Sequence, residues 1–335
     1  MDRTKEEMIG IGIIGAGNFS SRHIEAIQKI PSLELKAICR RDAAALSLLT
    51  DKYKLKGVTD YRELLSDPGI DAVLIATPHH LHTTIALEAA AAGKHILLEK
   101  PMASTYSDCK AIHEASVKSD IKLMIGQVAQ FSPSFIAAKT AIASGEIGEI
   151  HMVKATSISF WKHGDRKDWH LKKTSGGGYL LTVAIHQLDA LCALIPSDVS
   201  SVTASMTNAF HEDEVDDGGV IVLDFKKGQK ASLHYSGFKN GVNDICIDFN
   251  GSTGSLKMDN TKGVFLGKDQ DYDLLPNSYS EDWMNEALVN QWEEFSKAIM
   301  EDREPFASGK HTLKVMEVLF AAFDAAATGV PIRLH

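Results

Sequence analysis

Three things that the sequence lacks narrow the classes of function open to it. Basic residues are not in excess: 35 Lys and Arg stand against 44 Asp and Glu, giving a net charge of -9. They are also scattered, so we expect no nucleic-acid partner. No apolar run approaches the roughly 18 residues of a membrane helix, and no signal-like segment opens the chain. The four cysteines form no Cys-x-x-Cys pair, so we expect reduced thiols in a cytoplasmic protein that binds no membrane.

The part of the sequence before residue 128 alternates short apolar runs with helical patterns. Continuous apolar strands between helices predict a parallel sheet that is covered on both faces. We therefore predict an α/β fold with a doubly wound Rossmann domain at residues 1–127. The runs are MIGIGIIG (8–15), LELKAIC (33–39), AVLIAT (72–77), HILLEK (95–100) and KLMIGQ (122–127).

After residue 127 the strand-like segments become longer, and Gly-containing turns join several of them. This pattern of strands and turns predicts an antiparallel meander, with helices near 178–195, 281–301 and 308–328. We predict that residues 128–335 form an α+β domain for substrate binding and oligomerisation, with a large, mostly antiparallel sheet. The segments are EIHMVKATSISF (149–160), SVTASMTNA (201–209), GGVIVLDF (218–225), KASLHYSGF (230–238) and DICIDFNGSTGSLKMD (244–259).

A glycine-containing turn follows the first predicted strand and opens a helix. Such a turn aims backbone N–H groups and the helix dipole at a pyrophosphate. The third glycine position of the Gly-x-Gly-x-x-Gly pattern holds Ser20. The place of the turn in an alternating βα series nevertheless indicates dinucleotide binding. The candidate cofactor contacts here are Gly15, Ala16, Gly17, Asn18 and Phe19.

The end of the second strand bears on the choice between NAD and NADP. An acidic residue there would bind the ribose 2'-hydroxyl, but this strand ends in Arg40 and Arg41. Two guanidinium groups suit a 2'-phosphate better, so we favour NADP and keep NAD as a possibility. The alternative is that these arginines are solvated and that Asp42 turns inward.

The stretch IATPHHLHTTIALEAAAAGKHILLEKPMA (75–103) is similar to the most characteristic part of one oxidoreductase family. This is the glucose-fructose oxidoreductase, inositol dehydrogenase and rhizopine-catabolism (Gfo/Idh/MocA) family, and residues 8 to about 195 match its pattern in order. The resemblance implies an NAD(P)-dependent dehydrogenase or reductase acting on CH–OH groups. It would transfer hydride reversibly between nicotinamide and a secondary alcohol or ketone of a sugar, cyclitol or related polyol.

The Glu-Lys-Pro segment of this stretch ends a predicted strand. Ligands of open α/β sheets bind at the carboxyl ends of strands, which places Lys100 at the site. In the family this segment faces the nicotinamide, and the peptide bond that corresponds to Lys100–Pro101 is often cis. Lys100 could hold a substrate oxygen and stabilise negative charge on it, or it could merely pair with Glu99 at the surface. The resemblance implies cofactor contacts from Thr77, Pro78, His79, His82, Glu99, Lys100 and Gln127.

A second constellation is SGGGYLLTVAIHQLDAL (175–191), which resembles a substrate-binding segment of the family. A continuous helix would put Thr182, His186 and Asp189 on one face. The resemblance makes His186 the catalytic histidine that takes the substrate proton, directly or through Lys100. Thr182 stands where many members have an aspartate, and a hydroxyl cannot act as a base near neutral pH. The alternative is a histidine that simply packs in a core.

The segment FWKHGDRKDWHLKKTSGGG (160–178) is a candidate substrate loop because it mixes aromatic, cationic and hydrogen-bonding side chains. An exposed loop packed on the sheet would look the same. His79, His80 and His82 do not have a spacing that converges on one ion, so we expect no metal. The candidate substrate contacts are Lys100, Trp161, Trp169, His170, Thr182 and His186, with His163, Arg166 and Lys173 nearby in the same loop.

Two other functions stay open for this sequence. A non-catalytic, dinucleotide-sensing regulatory protein of the same fold could carry the change at Thr182. An enzyme could also use the cofactor for elimination or internal redox, without net change of the nicotinamide. The expected partner is a small polyhydroxylated substrate. A sheet with one bare face, together with the resemblance, implies a homodimer or homotetramer.

Overall fold

The computed structural model describes residues 8–17, 19–161, 168–212 and 214–334. Within them the chain divides into two units. The first contains residues up to Val128 together with Leu288–Leu313, and the second contains Ala129–Ala287 and the residues from Lys314 onward. The predicted domains, 1–127 and 128–335, differ from this division because they assign residues 288–313 to the second domain. An apolar helix pattern does not reveal which sheet the helix packs against.

The first unit is built on a six-stranded parallel sheet of order β3-β2-β1-β4-β5-β6. All residues of β1, β4 and β6 are buried, which explains why these strands form continuous apolar runs in the sequence. The five predicted strands are confirmed, whereas the short β3 was missed because two of its three residues are exposed. The strands are β1 (Ile9–Ile14), β2 (Leu33–Cys39), β3 (Lys56–Val58), β4 (Ala72–Ile75), β5 (His95–Glu99) and β6 (Leu123–Gly126).

The order of this sheet reverses beside β1, since β2 and β3 lie on one side of it and β4 to β6 on the other. Ligands of such sheets bind at this switch point, outside the carboxyl ends of the strands. Helices connect successive strands, as parallel pairing requires. They are α1 (Ser20–Ile27), α2 (Ala43–Tyr53), α3 (Arg62–Leu65), α4 (His82–Ala91) and α5 (Tyr106–Lys118).

The second unit contains a nine-stranded sheet of order β14-β13-β12-β11-β7-β10-β9-β8-β15. The predicted segment 244–259 is two strands, separated by the turn at 252–254. The strands are β7 (Ile150–Phe160), β8 (Val199–Thr207), β9 (Gly218–Phe225), β10 (Lys230–Phe238), β11 (Asp244–Gly251), β12 (Ser255–Asp259), β13 (Gly263–Lys268), β14 (Asp271–Leu274) and β15 (Ile332–Arg333).

The sheet is mostly antiparallel, as predicted, but the prediction of a meander is wrong at β7. Strand β7 lies between β10 and β11 and pairs with β10 in parallel and with β11 antiparallel. The flanking runs β8-β9-β10 and β11 to β14 are meanders. Turn residues predict hairpins between strands that are adjacent in the sequence. The partners of β7 come much later in the chain, so no local pattern predicts this pairing.

The nine-stranded sheet has one face that is covered within the unit and one that is open. Ile221 and Leu223 of β9 are fully buried, whereas Val220 and Val222 on its other face are 38% and 42% exposed. On β7, Met152 is also exposed. This alternation is that of a sheet packed on one side.

The three helices predicted after residue 127 are confirmed, and residues 288–300 of the second one belong to the first unit. The predicted helix 178–195 is a π-helical turn, Leu180–Ala184, followed by α7 (Ile185–Leu194). By length and composition the helical segment Lys173–Leu194 could cross a membrane, but most of it is buried inside the protein, as core helices are. The remaining helices are α6 (Pro133–Ala143), α8 (Trp283–Met300) and α9 (Gly309–Thr328).

Candidate active site

The predicted nucleotide turn lies at the carboxyl end of β1. Gly15 has φ +96, and a Cβ there would lie 2.5 Å from the carbonyl oxygen of Ala76, so the position requires glycine. Ser20, at the third glycine position, closes the turn: its hydroxyl donates to Gly15 O at 2.8 Å and accepts from Gly17 N–H at 3.0 Å. The departure from Gly-x-Gly-x-x-Gly therefore supports the turn. Asn18 lies outside the described residues.

Arg40 follows β2 and reaches this turn. Its guanidinium donates to the carbonyl oxygen of Ala16 at 2.9 Å. Asp42 does not turn inward, because its carboxylate caps α2 and accepts the backbone N–H of Ala45 at 3.0 Å. Arg41 is exposed. Arg40 is thus the strand-end charge that contacts the turn.

His82 joins the ends of two neighbouring strands. Its ring is fully buried, with Nδ1 2.9 Å from Pro101 O and Nε2 2.9 Å from Thr77 O. Burial lowers the pKa of His82. A neutral imidazole carries one N–H and donates to one of these carbonyls at a time. His82 thereby ties the segment after β4 to the segment after β5.

Lys100 begins the segment after β5. The Lys100–Pro101 peptide bond is cis, as the resemblance implies. The side chain of Glu99 is only 12% exposed, and its Oε2 accepts the backbone N–H of Lys100 at 3.3 Å. The Glu-Lys-Pro segment therefore lies where β5 ends, with its carboxylate turned into the unit.

Two residues at this edge of the sheet were not predicted. His23 of α1 is hydrogen-bonded to Glu99 at 3.0 Å, and Trp292 of α8 donates to His23 at 2.9 Å. His23 follows the nucleotide turn in the sequence, but nothing in the spacing indicates that its ring meets Glu99. No local pattern could link Trp292 to it, because the two are so far apart in the chain.

The same edge carries buried polar groups that have no hydrogen-bond partner among the described residues. Both atoms of the Gln127 side-chain amide are in this state, and Gln127 is 0% exposed. The Thr77 hydroxyl is another. Buried polar groups are rarely left unsatisfied, and a bound molecule with donors and acceptors would satisfy them. A dinucleotide, held also by the turn at Gly15 and by Arg40, fits this set of groups.

In the second unit, Thr182 lies in the π-helical turn, whereas His186 and Asp189 lie in α7, so the regular α-helical spacing that the prediction assumed does not extend over all three. That the three side chains share one face stays a prediction. The Thr182 hydroxyl donates to Gly178 O at 2.5 Å, and Asp189 is buried and accepts two bonds from the amide of Gln130. His186 lies half-buried at the start of α7.

A carboxylate that the sequence did not single out holds the beginning of this helical segment. Asp216 Oδ2 accepts the backbone N–H of Leu180 at 2.9 Å. Burial raises the pKa of Asp216 to about 6. Gly178 has φ +108, and a side chain there would collide with Asp216. The glycine segment therefore makes room for this carboxylate.

The predicted aromatic loop is only partly described. Trp161 is fully buried, with its ring edge-on to Tyr179 and His211. Trp169 stacks on His170 with ring centroids 3.5 Å apart. His163 and Arg166 lie outside the described residues. The roles of these aromatic residues in substrate binding stay predictions.

The predicted site residues thus fall in two groups. Among the residues that the structure describes, no group of three His, Cys, Asp or Glu side chains is arranged to hold a metal ion. The first unit contains Gly15, Ala16, Gly17, Phe19, Arg40, Arg41, Thr77, Pro78, His79, His82, Glu99, Lys100 and Gln127. The second contains Trp161, Trp169, His170, Thr182 and His186.

Comparison with known proteins places the chain in a class. Residues 9–127 match the model of an oxidoreductase family with an NAD-binding Rossmann fold. Residues 135–257 match the GFO/IDH/MocA C-terminal domain. The class is therefore that of oxidoreductases with an NAD-binding Rossmann fold. Within that class, the chain belongs to the Gfo/Idh/MocA family.

Individual relatives agree with this assignment. The chain is 30% identical over 342 residues to the uncharacterized oxidoreductase YrbE of Bacillus subtilis strain 168, covering 98% of this chain and 97% of that protein. It is 28% identical over 258 residues to myo-inositol 2-dehydrogenase of Thermotoga maritima, covering 75% of each. A levoglucosan dehydrogenase solved with NADH and levoglucosan has the same fold, with a TM-score of 0.88, 24% identity and coverage of 98% and 99%.

Proposed function

We propose that this protein is an NADP-preferring dehydrogenase. It would transfer hydride reversibly between nicotinamide and a secondary alcohol or ketone of a sugar, cyclitol or related polyol. The observation that carries the proposal is the Glu-Lys-Pro segment at the carboxyl end of β5, beside the buried, unpartnered amide of Gln127. Relatives named as inositol and levoglucosan dehydrogenases support the substrate class.

In the proposed reaction, a bound nicotinamide supplies the hydride acceptor or donor. The ammonium group of Lys100 donates a hydrogen bond to the reacting oxygen and stabilises the negative charge on it as the C–H bond breaks. His186 takes or returns the hydroxyl proton, directly or through Lys100, a role that imidazole side chains often have in catalysis. Thr182 can orient the substrate but cannot replace a carboxylate base.

Arg40 supports the choice of NADP. Its contact with Ala16 O keeps the guanidinium beside the nucleotide turn, where a 2'-phosphate would meet a planar, permanently charged donor. The acidic residue nearest in sequence, Asp42, is engaged as the cap of α2. Without a carboxylate at the end of β2, the site binds the free ribose 2'-hydroxyl of NAD less well.

The open face of the nine-stranded sheet supports a homo-oligomer, dimer or tetramer, as part of the proposal. Exposed valines beside one another on a sheet favour burial against a second copy. The four cysteines are free thiols, which is usual for a protein of the reducing cytoplasm, the location that we propose.

Cofactor preference is tested by isothermal titration with NADPH and NADH. The wild-type protein should bind NADPH more tightly, and Arg40→Asp should reverse that order because it repels the 2'-phosphate. Arg333→Asp, an equal charge change at an exposed arginine of the second unit, should leave the order intact. Equal affinities in the wild type, or an order unaffected by Arg40→Asp, would refute the assignment of NADP.

Activity is tested with myo-inositol, scyllo-inositol, levoglucosan and 1,5-anhydro-D-fructose, each with both cofactors, by nicotinamide absorbance. At least one should turn over, and Lys100→Met should lower kcat by about 10²- to 10⁴-fold. Lys118→Met, at an exposed lysine, is the control. Tight dinucleotide binding without turnover would favour the regulatory alternative. Substrate conversion at constant absorbance would favour internal redox or elimination.

A further inference from the structure

A chain of hydrogen bonds runs from α8 through α1 to the strand end that carries Lys100. Trp292 Nε1–H donates to His23 Nδ1 at 2.9 Å, and His23 Nε2 lies 3.0 Å from Glu99 Oε1. Glu99 Oε2 in turn accepts the backbone N–H of Lys100 at 3.3 Å. These four residues belong to the first unit. His23 and Trp292 are both 0% exposed, so water does not compete for these bonds.

Trp292 fixes the direction of this chain. An indole nitrogen can only donate, so His23 Nδ1 must offer its lone pair. The neutral ring then carries its proton on Nε2 and donates it to Glu99. An imidazolium would place a second N–H opposite that of Trp292 and break the bond. The contacts therefore select the neutral Nε2–H tautomer of His23.

Two aromatic rings pack against His23. The ring of Phe19 lies edge-on to it at 5.2 Å between centroids, and the ring of Trp292 at 6.0 Å. These neighbours confine the imidazole, so that its position is passed on to Glu99 through the Nε2 bond.

The neighbouring strand makes room for the carboxylate. Gly126 of β6 pairs with Glu99 of β5. A Cβ at position 126 would lie 2.7 Å from Glu99 Oε1, so any larger residue would push the carboxylate from its place. Glu99 is thus held by a donor on one side and by close backbone on the other.

We propose that Trp292 and His23 are positioning residues for Lys100. They hold the Glu99 carboxylate, and through its bond to the Lys100 N–H they fix the strand end from which the ammonium acts. This inference rests on the proposed catalytic role of Lys100.

The decisive variant is Trp292→Phe, which removes the N–H and keeps an aromatic ring. His23 Nδ1 then loses the donor that holds its lone pair. In ¹⁵N-histidine spectra of the full-length protein, wild-type His23 should show the neutral Nε2–H form, whereas in Trp292→Phe the Nδ1 signal should move because its lone pair no longer accepts a hydrogen bond. The spectrum of His23→Gln assigns the signal.

The kinetic readout is the split between kcat and KM with the polyol and cofactor that the wild type turns over. Trp292→Phe should lower kcat about tenfold and leave KM nearly unchanged, as expected when a reacting group is displaced. Trp283→Phe, on the same helix but outside the chain of bonds, should change neither. His23→Leu should lose more of kcat than His23→Gln, which can still donate and accept, and Trp292→Phe should add little to the loss in His23→Leu.

The outcomes separate this inference from the proposed function. A wild-type His23 in the Nδ1–H form refutes the chain of bonds. A Trp292→Phe protein whose His23 Nδ1 signal moves while kcat does not change refutes the positioning role. A fully active Lys100→Met enzyme, or no turnover by the wild type, refutes the proposed function and this role with it, although the spectra still report the tautomer.

Discussion

At the scale of single residues, buried and half-buried polar side chains hold backbone in unusual conformations. Asp216, which is half-buried, is the clearest case in the second unit. Its carboxylate accepts the N–H of Leu180 at the beginning of the π-helical turn, although burial raises its pKa to about 6. Holding the turn with a desolvated carboxylate therefore makes the stability of the protein depend on pH.

The sign of this dependence follows from the raised pKa. The folded state binds the Asp216 proton more tightly than the unfolded chain, so the free energy of unfolding should fall as pH rises from about 4 to 6 and level off above. Asp216→Asn keeps an acceptor for Leu180 and lacks the ionisation. Its stability relative to wild type should rise through that window, by on the order of 1 to 3 kcal/mol.

Urea unfolding between pH 4.5 and 7.5 measures this difference. Asp216→Ala is the matched control, because it loses the acceptor as well and should be less stable than Asp216→Asn at every pH. A stability difference between Asp216→Asn and wild type that does not change with pH would contradict the prediction.

At the scale of elements, strand β10 passes directly beside two aromatic residues, Trp161 before the glycine segment and Tyr179 after it. A Cβ at Gly237 would lie 2.5 Å from the ring of Tyr179 and 2.8 Å from Cβ of Trp161. Tyr179 also stacks parallel to Tyr235 of the same strand at 6.1 Å. The glycine therefore lets the strand approach rings that are themselves fully buried.

Gly237→Ala should overpack this contact and destabilise the protein by about 1 to 3 kcal/mol. Chemical denaturation followed by tryptophan fluorescence measures the loss. Ser236→Ala, at the next position on the same strand, should change stability by less than about 0.5 kcal/mol. Equal effects of the two substitutions would show that the close approach at Gly237 carries no special cost.

The elements also show how far sequence reasoning reaches. Buried strands such as β1 and β4 were predicted because parallel sheets demand continuous apolar runs, and the turn at Gly15 because its position after β1 has a chemical reason. The pairing of β7 with β10 was not predicted, because packing decides the register between strands that are distant in the sequence. The same limit hid the Trp292–His23 bond, and the helical pattern of the sequence did not reveal the π-helical turn that contains Thr182.

At the scale of the whole molecule, the open face of the nine-stranded sheet is the surface that the proposed oligomer would cover. Met152 is 55% exposed there, and the valines of β9 lie beside paired strands on either side. Apolar side chains grouped in this way are typical of surfaces that become buried in association.

Val222→Glu should weaken or abolish the proposed oligomer, because it would bury two like charges in a symmetric interface. Size-exclusion chromatography with light scattering measures the change of mass. Leu48→Glu is the control, since Leu48 is 73% exposed on α2 of the first unit and its substitution should leave the mass unchanged. An unaltered mass for Val222→Glu would exclude this face as the interface.

The position of β7 in its sheet has a consequence for synthesis on the ribosome. This strand emerges early, yet both strands that flank it, β10 and β11, lie much further along the chain. One of its edges stays unpaired until β10 has left the exit tunnel and the other until residue 251 has, and the first unit likewise waits for residues 288–313. Unpaired strand edges are prone to aggregate, so the nascent chain has its greatest need of chaperones after β7 emerges and before β11 follows.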